Sequence, residues 1–352
     1  MCDFNSRRFH RIVLAAFLAI CSPRYVSAFT AQDFGFEPMN KATATVSVGV
    51  NLLSNGEVEY SYTVTNVATS ARPINLFYTQ IDVQVSSLSA SNPNNWGALD
   101  CCARDNVRKN ATGIAAAGWL YATPAARIAP GSGLAGFKIR GKSIPAIKRF
   151  FVQSQSSDET PDGEPGSPEE ESAVTELTDF FNDSTSGLTL GPDPLPVVID
   201  LPALIDRLIA LKHQSASLGW LGNAKFVLKL DKRLDQAKAA LARDKKKLAR
   251  VRLTQFVHEL TKAHDEHEGE RGDKHDDDRG KNKDDDRDKK FVNDEAFQLL
   301  KLNAEFIIAK LPAKAKDKGE DDECRRVEAE KDNDQDDDKN KSGKPGKGGK
   351  DD

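Results

Sequence analysis

Five residues between positions 264 and 275 carry the densest chemistry in the chain: His264, Asp265, His267, Glu268 and His275. Imidazole and carboxylate donors together suit a divalent transition ion such as Zn²⁺ or Ni²⁺, so His264, His267 and His275 are the candidate metal ligands. The bland alternative is a solvated charge run, because Lys and Arg are interleaved throughout. Just upstream, His258-Glu259 begins the zinc-protease helix motif H-E-x-x-H, yet position 262 is Lys. The next imidazole, His264, falls about 600° around a helix instead of about 400°, and the motif fails. Asp276-Asp277-Asp278 and Asp284-Asp285-Asp286 would draw Ca²⁺ weakly, since they lack the alternating spacing and terminal Glu of an EF-hand loop. Arg271-Gly272-Asp273 spells an integrin tripeptide that this composition produces by accident. No Gly-x-Ser-x-Gly elbow, phosphate-binding loop or dinucleotide fingerprint occurs. The sequence therefore assigns no catalytic and no cofactor-binding residue, and an enzyme is not expected.

The elements that would position these residues are helices. Leu201, Leu204, Leu208 and Leu211 form one apolar stripe behind Asp200 and Pro202. A second runs through Phe226, Leu230, Leu234, Ala237 and Leu241, behind the breaker and N-cap pair Gly222-Asn223. Ala249, Leu253, Phe256 and Leu260 make a third, and Phe297, Leu300, Ala304, Ile307 and Leu311 a fourth after Asn293-Asp294-Glu295. Four such stripes imply a small antiparallel bundle.

Ahead of the helices the period changes to two. Val46, Val48, Val50 and Leu52 alternate with polar residues, as do Val58, Tyr60, Tyr62 and Val64, and Asn55-Gly56 between them predicts a tight hairpin turn with positive φ at both central positions. Further strands are expected at Ile74–Tyr78, Ile81–Val85, Trp119–Ala122, Leu134–Ile139 and Phe150–Gln153, giving a β-sandwich of about seven strands. Trp96, Trp119 and the tyrosines either fill its core or form a platform for a sugar ring; the shared apolar phase of Tyr60 and Tyr62 favours the core.

Residues 1–28 read as a secretory signal, with Arg7, Arg8 and Arg11 ahead of the apolar run Ile12–Cys21 and a Val26-Ser27-Ala28 cleavage site. That run is about half of what a bilayer span needs, so no transmembrane segment is expected in the mature chain. Cleavage would leave Cys101, Cys102 and Cys324, an odd number: a strained vicinal disulfide, one bridge to Cys324, or free thiols all remain open. Asn110-Ala111-Thr112 and Asn182-Asp183-Ser184 match the glycosylation pattern by chance. The 352 residues carry 50 Lys and Arg against 54 Asp and Glu, for a net charge of -4, so nucleic acid is not an expected partner.

Gly219-Trp220-Leu221, the run Lys229–Ala237, Leu253-Thr254-Gln255-Phe256 and the closing Asn303–Leu311, behind a Leu-rich leading helix, resemble the FIMAH domain over about residues 200–311. The resemblance implies a compact helical module of exported bacterial proteins and supplies no catalytic residue. The departure is the charged insert at 265–290. The N-terminal part loosely resembles the small β-sandwiches of exported bacterial proteins.

The resulting expectation is a multi-domain α and β protein: signal peptide 1–28, antiparallel β-sandwich 40–153, Pro/Ser/Glu-rich flexible linker 154–199, helical bundle 200–311, and a charged disordered tail 312–352. Its expected role is non-enzymatic binding or attachment, secreted or periplasmic, to an envelope or extracellular polymer or protein. The alternatives are a secreted hydrolase whose site no motif reveals, and a cation-responsive scaffold for Ca²⁺ or Zn²⁺.

Overall fold

The computed structural model describes residues 40–83, 87–89, 96–98, 108–109, 115–154, 184–272 and 290–312, which belong to one compact unit. The expected signal, Cys101, Cys102, Cys324, the asparagines of both glycosylation patterns, His275 and residues 313–352 lie outside the described residues. In its strands, side chains alternate between the two faces as their period-two sequences dictate. The strands are β1 (Ala44–Leu52), β2 (Val58–Asn66), β3 (Ile74–Gln80), β4 (Ser87–Ser89), β5 (Trp96–Ala98), β6 (Arg108–Lys109), β7 (Ala115–Tyr121), β8 (Gly133–Gly141), β9 (Ser143–Ser154) and β10 (Thr185–Pro194). One antiparallel sheet has the order β1-β2-β8-β4, and the other β10-β9-β3-β7-β5 with β6 on β7. Gly141–Ser143 carries the chain from one sheet to the other.

The inward faces meet in an aromatic cluster. Phe77 stacks on Trp119 at 5.2 Å, Tyr62 meets Phe77 edge-on at 5.7 Å, and Phe137 meets Trp96 edge-on at 5.1 Å. Trp119, Tyr60 and Tyr62 are fully buried, and the Trp96 indole N–H donates to the Ala126 oxygen at 2.6 Å. These rings are core, which removes them as a sugar platform.

Four local readings change. The β1–β2 connection is a three-residue turn, closed by Leu53 N–H to Glu57 O at 2.8 Å, with positive φ at Gly56 but not at Asn55. Asn55 instead accepts the Glu57 N–H through its side chain at 3.0 Å, which holds the turn without the left-handed backbone the two-residue form would demand of it. The larger correction is β10. Residues 185–194 fall inside the stretch expected to be a flexible linker, yet they pair with β9 along its length, Thr185 opposite Val152 through Pro194 opposite Ser143. Pro192 and Pro194 are tolerated because β10 is the edge strand of its sheet. Ile81 is buried just after β3 ends and no strand forms at Ile81–Val83, while β7 begins at Ala115, ahead of the expected start.

Four helices follow among the described residues: α1 (Leu201–Ser217), α2 (Ala224–Ala242), α3 (Lys246–Gly272) and α4 (Asp294–Lys310). Side-chain caps start three of them. Asp200 accepts from Ala203 N at 3.2 Å, Asn223 from Phe226 N at 2.8 Å, and Asn293 from Ala296 N at 2.9 Å. The expected stripes are the buried faces, with Ala240 deeper than Leu241 on α2. Each helix packs on two others in the cycle α1-α2-α3-α4. Before α2 and α4, the two-residue strands β11 (Leu221–Gly222) and β12 (Phe291–Val292) pair antiparallel, so the two halves of the bundle meet at one ribbon. The third helix runs to Gly272, so the first eight residues of the expected charged insert are helical.

The bundle is joined to the sandwich by α4, which packs against β1, β9 and β10. Val50 N–H on β1 donates to the Gln298 side chain at 2.5 Å, and Asn303 donates to Pro145 O on β9 at 2.9 Å. Arg207 on α1 reaches Asp193 on β10 at 2.8 Å, where Lys148 on β9 also pairs at 2.6 Å. Sheets and helices share one apolar core.

Candidate functional site

Helical spacing places His264 and Glu268, four residues apart, on one face of α3. That face meets the first turn of α4, and Asp294 joins them there: one ligand atom from each of the three lies within 4.8 Å of the others. His264 Nε2 is 2.7 Å from Asp294 Oδ1. The imidazole lies flat on Phe297, ring centroids 4.2 Å apart and planes 14° from parallel, so its orientation is set by packing. Only 14% of the His264 side chain is exposed, whereas Glu268 and Asp294 face solvent. Its second ring nitrogen, Nδ1, is buried without a hydrogen-bond partner, and Asp265 Oδ1 is 3.6 Å away.

Of the three histidines read as candidate ligands, His264 is in this cluster. His267 turns to the ring of Phe291 on β12, at 5.6 Å, and does not join the donor set. Asp294 was legible only as part of a helix start: it lies 30 residues from His264, and no local spacing announces the pair. Glu259, from the failed protease motif, is an ion-pair partner instead, receiving Arg233 of α2 at 2.9 Å with Lys229 at 3.5 Å. His258 is exposed.

The other charged clusters also hold elements together. Glu59 on β2 is nearly buried; burial raises its pKa, but hydrogen bonds from Lys138 at 3.0 Å and Arg140 at 2.5 Å, both on β8, outweigh that and hold it below the usual carboxylate range. Lys212 on α1 is wholly buried and pairs with Asp231 on α2; burial pulls its pKa below the usual lysine range against the pull of that carboxylate. Burial raises the pKa of the Tyr60 and Tyr62 hydroxyls, which therefore stay protonated.

No protein family's sequence pattern matches this chain. No curated protein matches its sequence either. Among solved structures, it is similar to an uncharacterized protein from Nocardia farcinica, whose crystal structure is described as revealing an immunoglobulin-like fold. The identity is 12%, over 40% of this chain and 95% of that one, with a TM-score of 0.22. The sandwich described above rests on its own strand order and inward aromatic faces.

The remaining surface feature is apolar. Between β10 and the Asp200 cap of α1, the chain exposes Leu195, Val197, Val198 and Ile199, with Val197 fully exposed. The strand registers place the end of β10 at the same end of the sandwich as Leu52, which is also exposed. In the sequence the prolines around this run signal a linker and mask it. The clue was Val197-Val198-Ile199, an apolar triplet with no periodicity to bury it. Among the described residues no helix is long and apolar enough to cross a membrane.

Proposed function

We propose that this is an exported, non-enzymatic attachment protein that acts at the cell envelope or in the extracellular matrix, with a FIMAH-type helical module fused to its sandwich. The observation that carries the reading is the exposed run Leu195–Ile199, held at both ends by regular structure. Water-facing apolar side chains cost the free protein about 25 cal/mol per Å² relative to burial, and a contiguous set of them is what a docking surface presents. The N-terminal signal pattern supports export. For the helices, support comes from the four capped, striped segments in FIMAH-like order, with Gly219-Trp220-Leu221 opening the second.

The test is co-sedimentation of the purified mature chain with envelope and matrix fractions from the producing cell. Binding is expected, and the double substitution Val197→Asp, Val198→Asp should weaken it at least tenfold while leaving the thermal midpoint unchanged. Retained binding in that variant would remove the apolar run from the role, and absence of binding by the parent chain would remove the attachment function.

A further inference from the structure

We infer that His264, Glu268 and Asp294 form a binding site for a divalent transition-metal ion that ties the last turns of α3 to the first turn of α4. One imidazole nitrogen and two carboxylate oxygens converge there from two packed helices, all within 4.8 Å. Zn²⁺ takes such ligands at about 2.0–2.2 Å, which puts neighbouring ligand atoms of a tetrahedron about 3.3 Å apart. The His264 Nε2 to Asp294 Oδ1 distance of 2.7 Å must therefore open by roughly half an ångström, and the exposed Glu268 and Asp294 side chains can move that far.

Two features set the cluster apart from an ordinary ion pair. The imidazole is already oriented by its stacking on Phe297, so binding need not order it. Its Nδ1 is buried and makes no hydrogen bond, with Asp265 Oδ1 at 3.6 Å. In metal-bound imidazoles the ring N–H away from the ion donates to a carboxylate or carbonyl, which fixes the tautomer. Asp265 is placed to accept that hydrogen once the ion holds Nε2. The mixed nitrogen and oxygen set favours a Zn²⁺-class ion over Ca²⁺, which takes six to eight oxygens. Three protein ligands leave a fourth position to solvent. The site does not depend on the attachment role, since its residues are separate from the Leu195–Ile199 run.

The experiment is calorimetric titration and thermal unfolding of the full mature chain with Zn²⁺ and, separately, Ca²⁺. One equivalent of Zn²⁺ is expected to saturate the site, and at 100 times its dissociation constant to raise the midpoint by about 5–10 °C. Glu268→Gln and Asp294→Asn should each weaken Zn²⁺ binding at least tenfold without lowering the metal-free midpoint by more than a degree or two. His264→Gln should abolish saturable binding, His267→Ala should leave it intact, and Asp265→Asn should weaken it less than any ligand substitution. Absence of a saturable Zn²⁺ phase overturns the inference. So does Zn²⁺ binding unchanged in the Glu268 and Asp294 variants, or lost in His275→Ala, which would move the ion to the charged segment. Equal response to Ca²⁺ would reduce the cluster to nonspecific cation attraction.

Discussion

Asn303 of α4 donates its side-chain amide to the main-chain oxygen of Pro145, on β9, at 2.9 Å, and to Leu299 O of its own helix at 2.8 Å. One buried polar group thus ties the helices to the sheet. Asn303→Ala leaves the Pro145 carbonyl buried without that donor, at a cost of about 1–3 kcal/mol. Urea unfolding followed by tryptophan fluorescence and by helical circular dichroism should give one coincident transition in the parent chain, at lower denaturant in the variant. Two separated transitions in the parent would show that sandwich and bundle do not unfold together.

Gly118 of β7 faces the Tyr78 ring of β3, and a Cβ there would lie 2.2 Å from two ring carbons. Tyr78 is buried and cannot swing away. Gly118→Ala should destabilise by about 1–3 kcal/mol through overpacking. In a double-mutant cycle with Tyr78→Ala, the glycine substitution should become nearly neutral, because the ring it strikes is gone. Additive losses would refute the clash.

Lys212 is wholly buried beside Asp231. Asp231→Ala strands an ammonium in the bundle core and should cost about 3–5 kcal/mol, whereas Lys212→Met combined with Asp231→Ala should regain most of that. Thermal unfolding of the single and double variants decides it: equal losses in both would mean the pair is not what the buried lysine depends on.

Glu59 has a folded-state pKa below its ordinary value of about 4.3, so its ion pairs with Lys138 and Arg140 stabilise the native state above that pH. That stabilisation is lost as pH falls through the lowered native value. Glu59→Gln should therefore flatten the stability profile below about pH 4.5 and leave the remaining acid transition in place. An unchanged slope in the variant would place the acid sensitivity elsewhere.

The sequence disclosed most where one element speaks for itself. The Asn223 and Asn293 caps, the apolar stripes of α1 to α4, and the alternation of β1 and β2 are local patterns, and the structure contains them. β10 was hidden because its partners require the residues that erase a strand signal. A Cβ at Gly187 would meet the Phe150 ring at 2.5 Å, one at Gly191 would meet Lys148 at 3.0 Å, and the prolines sit on an outer edge. The cluster at His264 was half legible for a related reason. Glu268 shares a helix face with it, but Asp294 arrives from beyond the insert, and only folding brings the two sides together.

The hydrogen bond between Val50 and Gln298 joins residues 248 positions apart. At translation rates of about 5–20 residues per second, the side chain that covers this edge of β1 is made roughly 10–50 s after the strand itself. During that interval β1 offers unpaired main-chain groups to any neighbouring chain, the situation in which strands join across molecules. Because α4 covers this edge of β1 only after that delay, a chain cut short before residue 294 should be caught as an aggregate.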